Sequence, residues 1–219
     1  MKRVFAGLLA LLVASLVLSA AIPASDNFTR ANGAIGANWA ARTTCTLSIV
    51  SNSVRLSGVD NFCGVSWVPD TFNADQCSQI TIGLLSNADS ASAVVRASGF
   101  DVPGTLSMYL LTADGAKSST LDKIVTGTGS QIRSLSATSF SAGDVIKLCV
   151  QGTTLTTFKN GSTLSTDTDS SIASGQPGLF IFDSSQGGDG NVSVIGWTGT
   201  NNLAAGSSVR RATTMGIGQ

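Results

Sequence analysis

The chain has 219 residues, and its 13 basic side chains balance 13 acidic ones, all of which are aspartates. It contains neither histidine nor glutamate, which excludes Ser-His-Asp and Cys-His nucleophiles, His-Glu-x-x-His zinc sites and paired catalytic glutamates. We therefore expect a protein that is not an enzyme.

The first 21 residues have the pattern of a signal peptide. A positively charged start precedes an apolar run, 4–18, and small residues follow at 19–21. We predict cleavage after Ala21, with Ala20 or Ala24 as alternatives and an uncleaved membrane anchor as the other interpretation. Cleavage leaves 11 basic against 13 acidic side chains, so no electrostatic surface for nucleic acid or anionic lipid is expected. The predicted location is extracellular, without membrane association after cleavage.

Short runs of alternating apolar and polar residues recur after the signal peptide, and no segment has sustained helical periodicity. A hairpin is predicted first, from 45–49 to 54–56. Further strands are predicted at 63–68, 76–85, 91–98, 105–112, 131–136, 144–150, 153–159, 178–183 and 191–198. Turn residues favour tight reversals at Asp114-Gly115, Gln151-Gly152 and Asn160-Gly161. This pattern predicts an all-β fold, a sandwich of two antiparallel sheets in one domain, 22–200, followed by a polar tail, 201–219.

Four cysteines in an exported chain predict two disulfides. Cys45 and Cys63 each share a strand face with apolar residues, so both are expected to point inward. Cys77 and Cys149 lie on the less apolar face of their strands. Of the three possible pairings we therefore favour Cys45–Cys63 with Cys77–Cys149.

Several segments resemble, in order, the concanavalin A-like (laminin-G-like) jelly-roll superfamily. They are DNFTRANGAIGANW from Asp26, ADQCSQITI from Ala74, AVVRASG from Ala93, AGDVIKLCVQGTTLTTFKNG from Ala142 and IASGQPGLFIF from Ile172. The similarity is closest to modules of secreted bacterial and phage-encoded proteins. The resemblance implies a curved jelly-roll sandwich whose concave face, in many relatives, binds sugars. It does not imply one activity, because this fold carries lectins, glycan-binding modules, hydrolases and lyases.

A carbohydrate site needs an aromatic platform and planar polar groups. Candidates for the platform are Trp67, Phe72 and Tyr109, and candidates for the polar groups are Asp75, Gln76, Arg96 and Asn160. Trp67 is also explained as a core residue, and Trp39 and Trp197 are expected to pack. Arg96 is the most suggestive residue, because a charge within a strand needs a partner or a ligand. A buried pair with Asp75 explains Arg96 equally well.

Catalytic and metal-binding alternatives have weaker support. Asp70 and Asp75 could act as an acid–base pair, although capping of turns explains both more simply. The loop from Asp183 through Asp189 to Asn191 carries oxygen ligands of the kind that Ca²⁺ takes, without the EF-hand order. We expect no other cofactor.

The leading hypothesis is a secreted, non-enzymatic jelly-roll domain that binds glycan on a cell surface or extracellular polymer. A structural subunit of an extracellular filament or virion, which would self-associate, is the alternative. A divergent glycan lyase or hydrolase is a more distant one.

Overall fold

The computed structural model describes residues 23–41, 45–57, 61–86, 88–99, 104–116, 118–184 and 191–202. The predicted signal peptide, 1–21, lies outside these residues, as does the tail beyond residue 202. In the part of the chain that is described, no helix has the length and hydrophobicity needed to span a membrane.

The described residues form sixteen strands and no helix. The strands are β1 Ala24–Asp26, β2 Gly33–Ala34, β3 Trp39–Ala41, β4 Leu47–Val50, β5 Ser53–Leu56, β6 Phe62–Trp67, β7 Gln76–Leu85, β8 Ser90–Ser98, β9 Ser107–Asp114, β10 Thr120–Val125, β11 Thr128–Ser134, β12 Val145–Gln151, β13 Thr154–Lys159, β14 Ser162–Thr168, β15 Gln176–Phe182 and β16 Val192–Asn201. The predicted all-β class is therefore confirmed.

These strands make two antiparallel sheets that pack face to face. The nine-stranded sheet has the order β14-β13-β12-β7-β16-β5-β4-β2, with β1 paired to β16. The seven-stranded sheet has the order β11-β10-β9-β8-β15-β6-β3. Neighbouring strands are often distant in sequence, as with β7 and β16 or β8 and β15, which is how a jelly roll closes its two sheets around one core.

Alternation along the central strands fills the space between the sheets. Ile80 and Ile82 of β7 and Leu179 and Ile181 of β15 are completely buried. Three tryptophans form an aromatic cluster within this core: Trp67 stacks on Trp197 with ring centroids 5.2 Å apart, and Trp39 meets both rings edge-on. The predicted packing role of Trp39 and Trp197, and the core interpretation of Trp67, are confirmed.

Tight turns connect several neighbouring strands. Ser51-Asn52 and Asn160-Gly161 join their strands with both turn residues at positive φ, which matches the right-handed twist of paired strands. Gly152, at φ 56°, begins the predicted reversal between β12 and β13. The predicted two-residue turn at Asp114-Gly115 is wrong, because Asp114 ends β9 and the connection to β10 runs over 115–119.

Both disulfides have the predicted partners. Cys45 and Cys63 are buried in the core with Sγ atoms 2.06 Å apart. Cys77 and Cys149 face each other across the β7–β12 pair, with Cα atoms 4.0 Å apart. Strand parity placed the first pair inside and the second on the opposite face of its sheet, and the structure agrees.

Some strands differ from the prediction. The polar edge strand β14 and the strand β10 were not predicted, nor were the short strands β1 to β3. The predicted strand at 131–136 begins earlier, as β11, and β16 extends to Asn201. In β14 every residue except Leu164 is polar, and in β10 the apolar residues at 121, 124 and 125 do not alternate with polar ones, so neither strand has the apolar periodicity that marks a half-buried strand.

Candidate functional site

Arg96, the favoured ligand residue, lies in the interior on a bulge of β8 where its φ is 53°. Only 3% of the residue is exposed. Its guanidinium donates to the carbonyl oxygens of Ala74, Ile172 and Gly152 at 2.7–2.9 Å, and Nη2 lies 3.6 Å from the Asp75 carboxylate. Arg96 and Asp75 thus form an ion pair in which only the arginine is buried, because 42% of the Asp75 side chain is exposed. Arg96 also joins three loops at one end of the sandwich.

Gln76 and Asp75 belong to the same network. The fully buried Gln76 accepts the backbone N–H of Arg96 at 3.1 Å and donates to the carbonyls of Asn73 and Gly175. Asp75 accepts the backbone N–H of Gly152 at 2.7 Å. These residues therefore lie together, but their polar groups are directed at the protein's own backbone.

Tyr109 and Trp67, the predicted platform, are also buried and are not neighbours of one exposed site. The Tyr109 hydroxyl donates to Asp169 at 2.7 Å and accepts the backbone N–H of Ile172 at 3.0 Å. Burial and the adjoining carboxylate raise the pKa of Tyr109 to about 12. The Trp67 indole donates to Asp70 at 2.8 Å, so Asp70 holds a core tryptophan. Phe72 is buried as well.

The predicted calcium loop is described only in part. Asp183 is buried, Asn191 is exposed, and Asp189 lies outside the described residues. Among the described residues no group of three or more potential ligand side chains is arranged to hold a metal ion. Asn160 forms a turn, where it accepts from the Val145 N–H and donates to Asp144.

A different surface has the features of a binding site: the outer face of the seven-stranded sheet. A second apolar cluster, separate from the core between the sheets, lies on this face and comprises Val94, Ala97, Met108 and Leu110. Leu106, Ile124 and Phe180 are partly exposed and pack against it. Because this cluster covers the outer face of β8, side chains on both faces of that strand are buried. A sheet face in contact with solvent would instead carry polar side chains.

Three phenylalanines line a hollow of about 410 Å³ on this face. Phe180 and Phe182 alternate with the core residues Leu179 and Ile181, which directs them outward, and Phe62 pairs with Phe182 across β6 and β15. The rings of Phe62 and Phe180 are nearly parallel, at 18°, with centroids 5.9 Å apart. Leu106, Ile124, Gly104 and Gly127 complete the lining, and Phe62 is 37% exposed. We name this surface the phenylalanine hollow.

A second hollow, of about 330 Å³, adjoins the first at Ile124 and contains a carboxylate. Asp122 of β10 lies there between Leu110 of β9 and Gln131 of β11. Its described hydrogen bond comes from the Thr120 hydroxyl. Burial raises the pKa of Asp122 above its usual value, although the hydrogen bond from Thr120 opposes the shift.

Sequence reasoning missed this surface. The one local signal is GLFIF at the end of β15, where both faces of the strand carry large apolar side chains. Such a strand must contact something on each side, and only one side can be the core. The strand order that brings Phe62, Leu110 and Asp122 onto the same face is not visible in the chain itself.

No family model matches this sequence, and no curated protein matches it in sequence comparison. Solved structures are similar in fold. The carbohydrate binding module CBM66 from Bacillus subtilis superposes with a TM-score of 0.57 at 15% identity, over 73% of this chain and 91% of the module. The exoplasmic/lumenal domain of VIP36, in a form bound to Ca²⁺ and mannose, gives 0.57 at 10% identity, over 79% and 86%.

A β-glucanase of Bacillus licheniformis is also similar, with a TM-score of 0.52 at 12% identity over 81% of this chain and 97% of the enzyme. At such identities the likeness concerns the fold. Together with the two packed antiparallel sheets, it shows that this chain has the jelly-roll sandwich fold that the resemblance implied.

Proposed function

We propose that the protein is a secreted, non-enzymatic module that binds carbohydrate on the outer face of its seven-stranded sheet. The observation that carries the proposal is the phenylalanine hollow, in which partly exposed aromatic rings lie on an otherwise solvent-facing sheet. Aromatic rings cover the apolar C–H faces of sugars, and nearby polar groups fix their hydroxyls. Similar solved structures include a carbohydrate binding module and a mannose-bound domain, which supports the same ligand class.

The described carboxylates support a binding role over hydrolysis. On the strands of the seven-stranded sheet, the outward positions with a carboxylate are Asp122 and Asp114. Asp122 pairs with Leu110, and Asp114 lies four residues further along β9, about 13 Å away. Glycosidases hold their two carboxyl groups about 5–9.5 Å apart. Asp114 is also committed to a turn, where it accepts the backbone N–H groups of Ala116 and Ser118.

The two disulfides support the secreted location, because such bonds persist in oxidising compartments. We further propose that the mature chain begins near Ile22. N-terminal sequencing of protein from a culture supernatant tests this, and intact protein recovered from a membrane fraction would contradict it.

A glycan array and pull-down on insoluble polysaccharides test the binding role. Phe180→Ala should lower the affinity about tenfold or more, because it removes a ring from the hollow and leaves the core untouched. Phe158→Ala is the matched control: Phe158 is an aromatic of the other sheet, where Lys147 lies 4.3 Å from the centre of its ring. Equal loss in both variants, or none in Phe180→Ala, would refute the assignment, as would turnover of a bound polysaccharide.

A structural subunit is the second candidate, and exposed apolar side chains favour it. Leu84 and Ile195 are 41% and 42% exposed on neighbouring strands of the nine-stranded sheet. Such side chains could be covered by a second copy of the chain. Sedimentation of the wild type and of Leu84→Ser with Ile195→Ser distinguishes the candidates: a monomer at micromolar concentration contradicts the subunit role.

A further inference from the structure

We propose that Asp122 forms a second subsite of the glycan site, so that the protein selects oligosaccharides that span both hollows and rejects glycans with an anionic group at the Asp122 end. This inference rests on the proposed carbohydrate-binding function and adds the length and charge class of the ligand.

Asp122 is a partly buried carboxylate with few partners of its own. It is partly buried against Leu110 and Ile124 on a sheet face that is otherwise apolar at its centre. Within the described residues, Asp122 takes part in no ion pair, and its side chain receives one hydrogen bond, from Thr120. Four other buried or half-buried aspartates each hold a cation: Asp26, Asp144, Asp167 and Asp169. Asp89, which is only 1% exposed, accepts instead from the backbone N–H and the hydroxyl of Ser184. A desolvated carboxylate without a cation has acceptor capacity left for a ligand.

The charged groups of the surrounding strands are directed elsewhere. On β10 itself, Lys123 is among the residues that line the second hollow, and its ammonium group binds Asp169 and Ser171. On β11, Arg133 binds Asp167 of the opposite sheet. β9 presents Met108, Leu110 and Thr112 to the same face as Asp122, with Asp114 capping its distant turn, and β11 presents Gly129 and Gln131. No described cation therefore neutralises Asp122.

The two hollows adjoin at Ile124, but Phe180 and Asp122 themselves are too far apart for one sugar ring to contact both. Phe180 on β15 and Asp122 on β10 are separated by three strand spacings, through β8 and β9, or about 14 Å. Val94 and Leu110, which are both buried, lie on the two strands between them. A glycan that stacks on Phe180 can reach Asp122 only with a further residue, whose hydroxyls would donate to the carboxylate.

The uncompensated charge also decides which glycans fit. A uronate or sulfate placed beside Asp122 would meet a like charge at low local dielectric. A neutral sugar or one with a free ammonium group would not. The selected class is therefore neutral or cationic oligosaccharides longer than a single sugar.

Calorimetric titration with glucose and mannose oligosaccharides of graded length, and with the same oligosaccharides ending in glucuronate, tests this. For the wild type, affinity should rise with length until both hollows are covered, and the glucuronate series should bind about tenfold more weakly. Asp122→Asn should lose about tenfold in affinity for the neutral series and lose the discrimination against glucuronate. Asp75→Asn removes a negative charge away from the second hollow, so it should change neither the affinity for the neutral series nor the discrimination against glucuronate.

A pH series separates a contact with the ligand from an indirect effect. Binding of the neutral series should weaken as the pH falls and Asp122 takes up a proton, and Asp122→Asn should abolish this dependence. Thr120→Val removes the hydrogen bond that favours the ionised form, so it should move the midpoint of the wild-type profile to higher pH.

The outcomes distinguish the two proposals. If affinity depends on Phe180 but is unchanged in Asp122→Asn at every length, the Asp122 subsite is refuted and the binding function stands. If neither a broad array nor the titrations show any glycan bound, both are refuted. Binding of a second copy of the chain through Phe62 and Phe180 would also refute both.

Discussion

The backbone N–H of Arg96 donates to the side-chain oxygen of Gln76 at 3.1 Å, on the bulge that turns the Arg96 side chain into the protein. Gln76 in turn binds the Gly175 carbonyl, and the Arg96 guanidinium binds the carbonyls of three loops. Two side chains from adjacent sheets thus satisfy the loop backbone that closes one end of the sandwich. A bulge was needed because a regular strand would place residue 96 on the face of Val94.

Replacing Arg96 with Met should lower the free energy of unfolding by about 3 kcal/mol. The variant keeps most of the volume but leaves one buried and two partly buried carbonyl groups without their donor. Denaturant titration measures the loss, and Arg96→Lys should be intermediate, since an ammonium cannot match the fork of the guanidinium. A variant as stable as the wild type that has lost its affinity for glycan would instead support the ligand role predicted from the sequence.

Removal of the disulfides should have unequal effects. Cys77–Cys149 closes 72 residues and Cys45–Cys63 closes 18, so their loss should cost about 4 and about 3 kcal/mol by the loop-entropy estimate. Paired Cys→Ser variants under oxidising conditions give the two values, and peptide mapping without reduction checks the connectivity. A larger loss from the 18-residue loop would show that packing of Cys45 and Cys63 in the core outweighs the chain entropy.

The sequence was informative where the pattern within a single strand determines which face of the sheet a side chain occupies. Alternation showed which side of each strand Cys45, Cys63, Cys77 and Cys149 occupy, and that was sufficient to pair them. It also indicated that Trp39 and Trp197 pack. Such reasoning depends only on residues two apart in the same element.

Prediction from the sequence failed where a residue's environment depends on contacts between segments that are distant in the sequence. Arg96 was expected on a strand face, but the bulge and three loops from distant segments decide its partners. Asp122 gave no local signal, because its neighbours Leu121 and Lys123 show nothing of the apolar residues that β9 brings beside it. The strand order of the seven-stranded sheet creates the candidate site, and that order is a property of the whole fold.

Tyr109 and Asp169 should be energetically coupled. Tyr109→Phe removes the donor to a carboxylate and the acceptor of the Ile172 N–H, at a cost of about 2 kcal/mol. In an Asp169→Asn background the same change should cost clearly less, because the charged partner is already gone. Thermal unfolding of the four proteins at pH 7 measures the coupling. Strict additivity would mean that the two groups do not interact in solution.

Asp169 also predicts a stability that falls in acid. Burial disfavours its charge, but hydrogen bonds from Lys123, Ser171 and Tyr109 prevail and hold the pKa of Asp169 well below its usual value of 3.8. The folded state therefore keeps the carboxylate ionised where the unfolded state is protonated. This stabilisation is present above pH 3.8 and is lost as the pH falls toward the lower pKa of the folded state.

The contribution of Asp122 to stability should depend on pH in the opposite sense, so Asp169 and Asp122 can be tested against each other. Because the pKa of Asp122 is raised, the folded state holds its proton at pH values where the unfolded state has already lost it. The contribution of Asp122 to stability is therefore most favourable below pH 3.8, declines as the pH rises through the raised pKa, and then stays constant. Asp122→Asn removes the buried charge, so its melting temperature relative to the wild type should increase as the pH rises above 3.8. The melting temperature of Asp169→Asn relative to the wild type should instead decrease as the pH rises toward 3.8.

Melting curves of the three proteins between pH 2 and pH 8 give both slopes under the same conditions. If Asp122→Asn is stabilised at neutral pH and binds neutral oligosaccharides more weakly, the carboxylate is retained at the expense of stability, as expected for a group that meets a ligand. A variant that is less stable than the wild type at neutral pH would show that Asp122 has a stabilising partner in solution and would remove the physical basis of its proposed subsite.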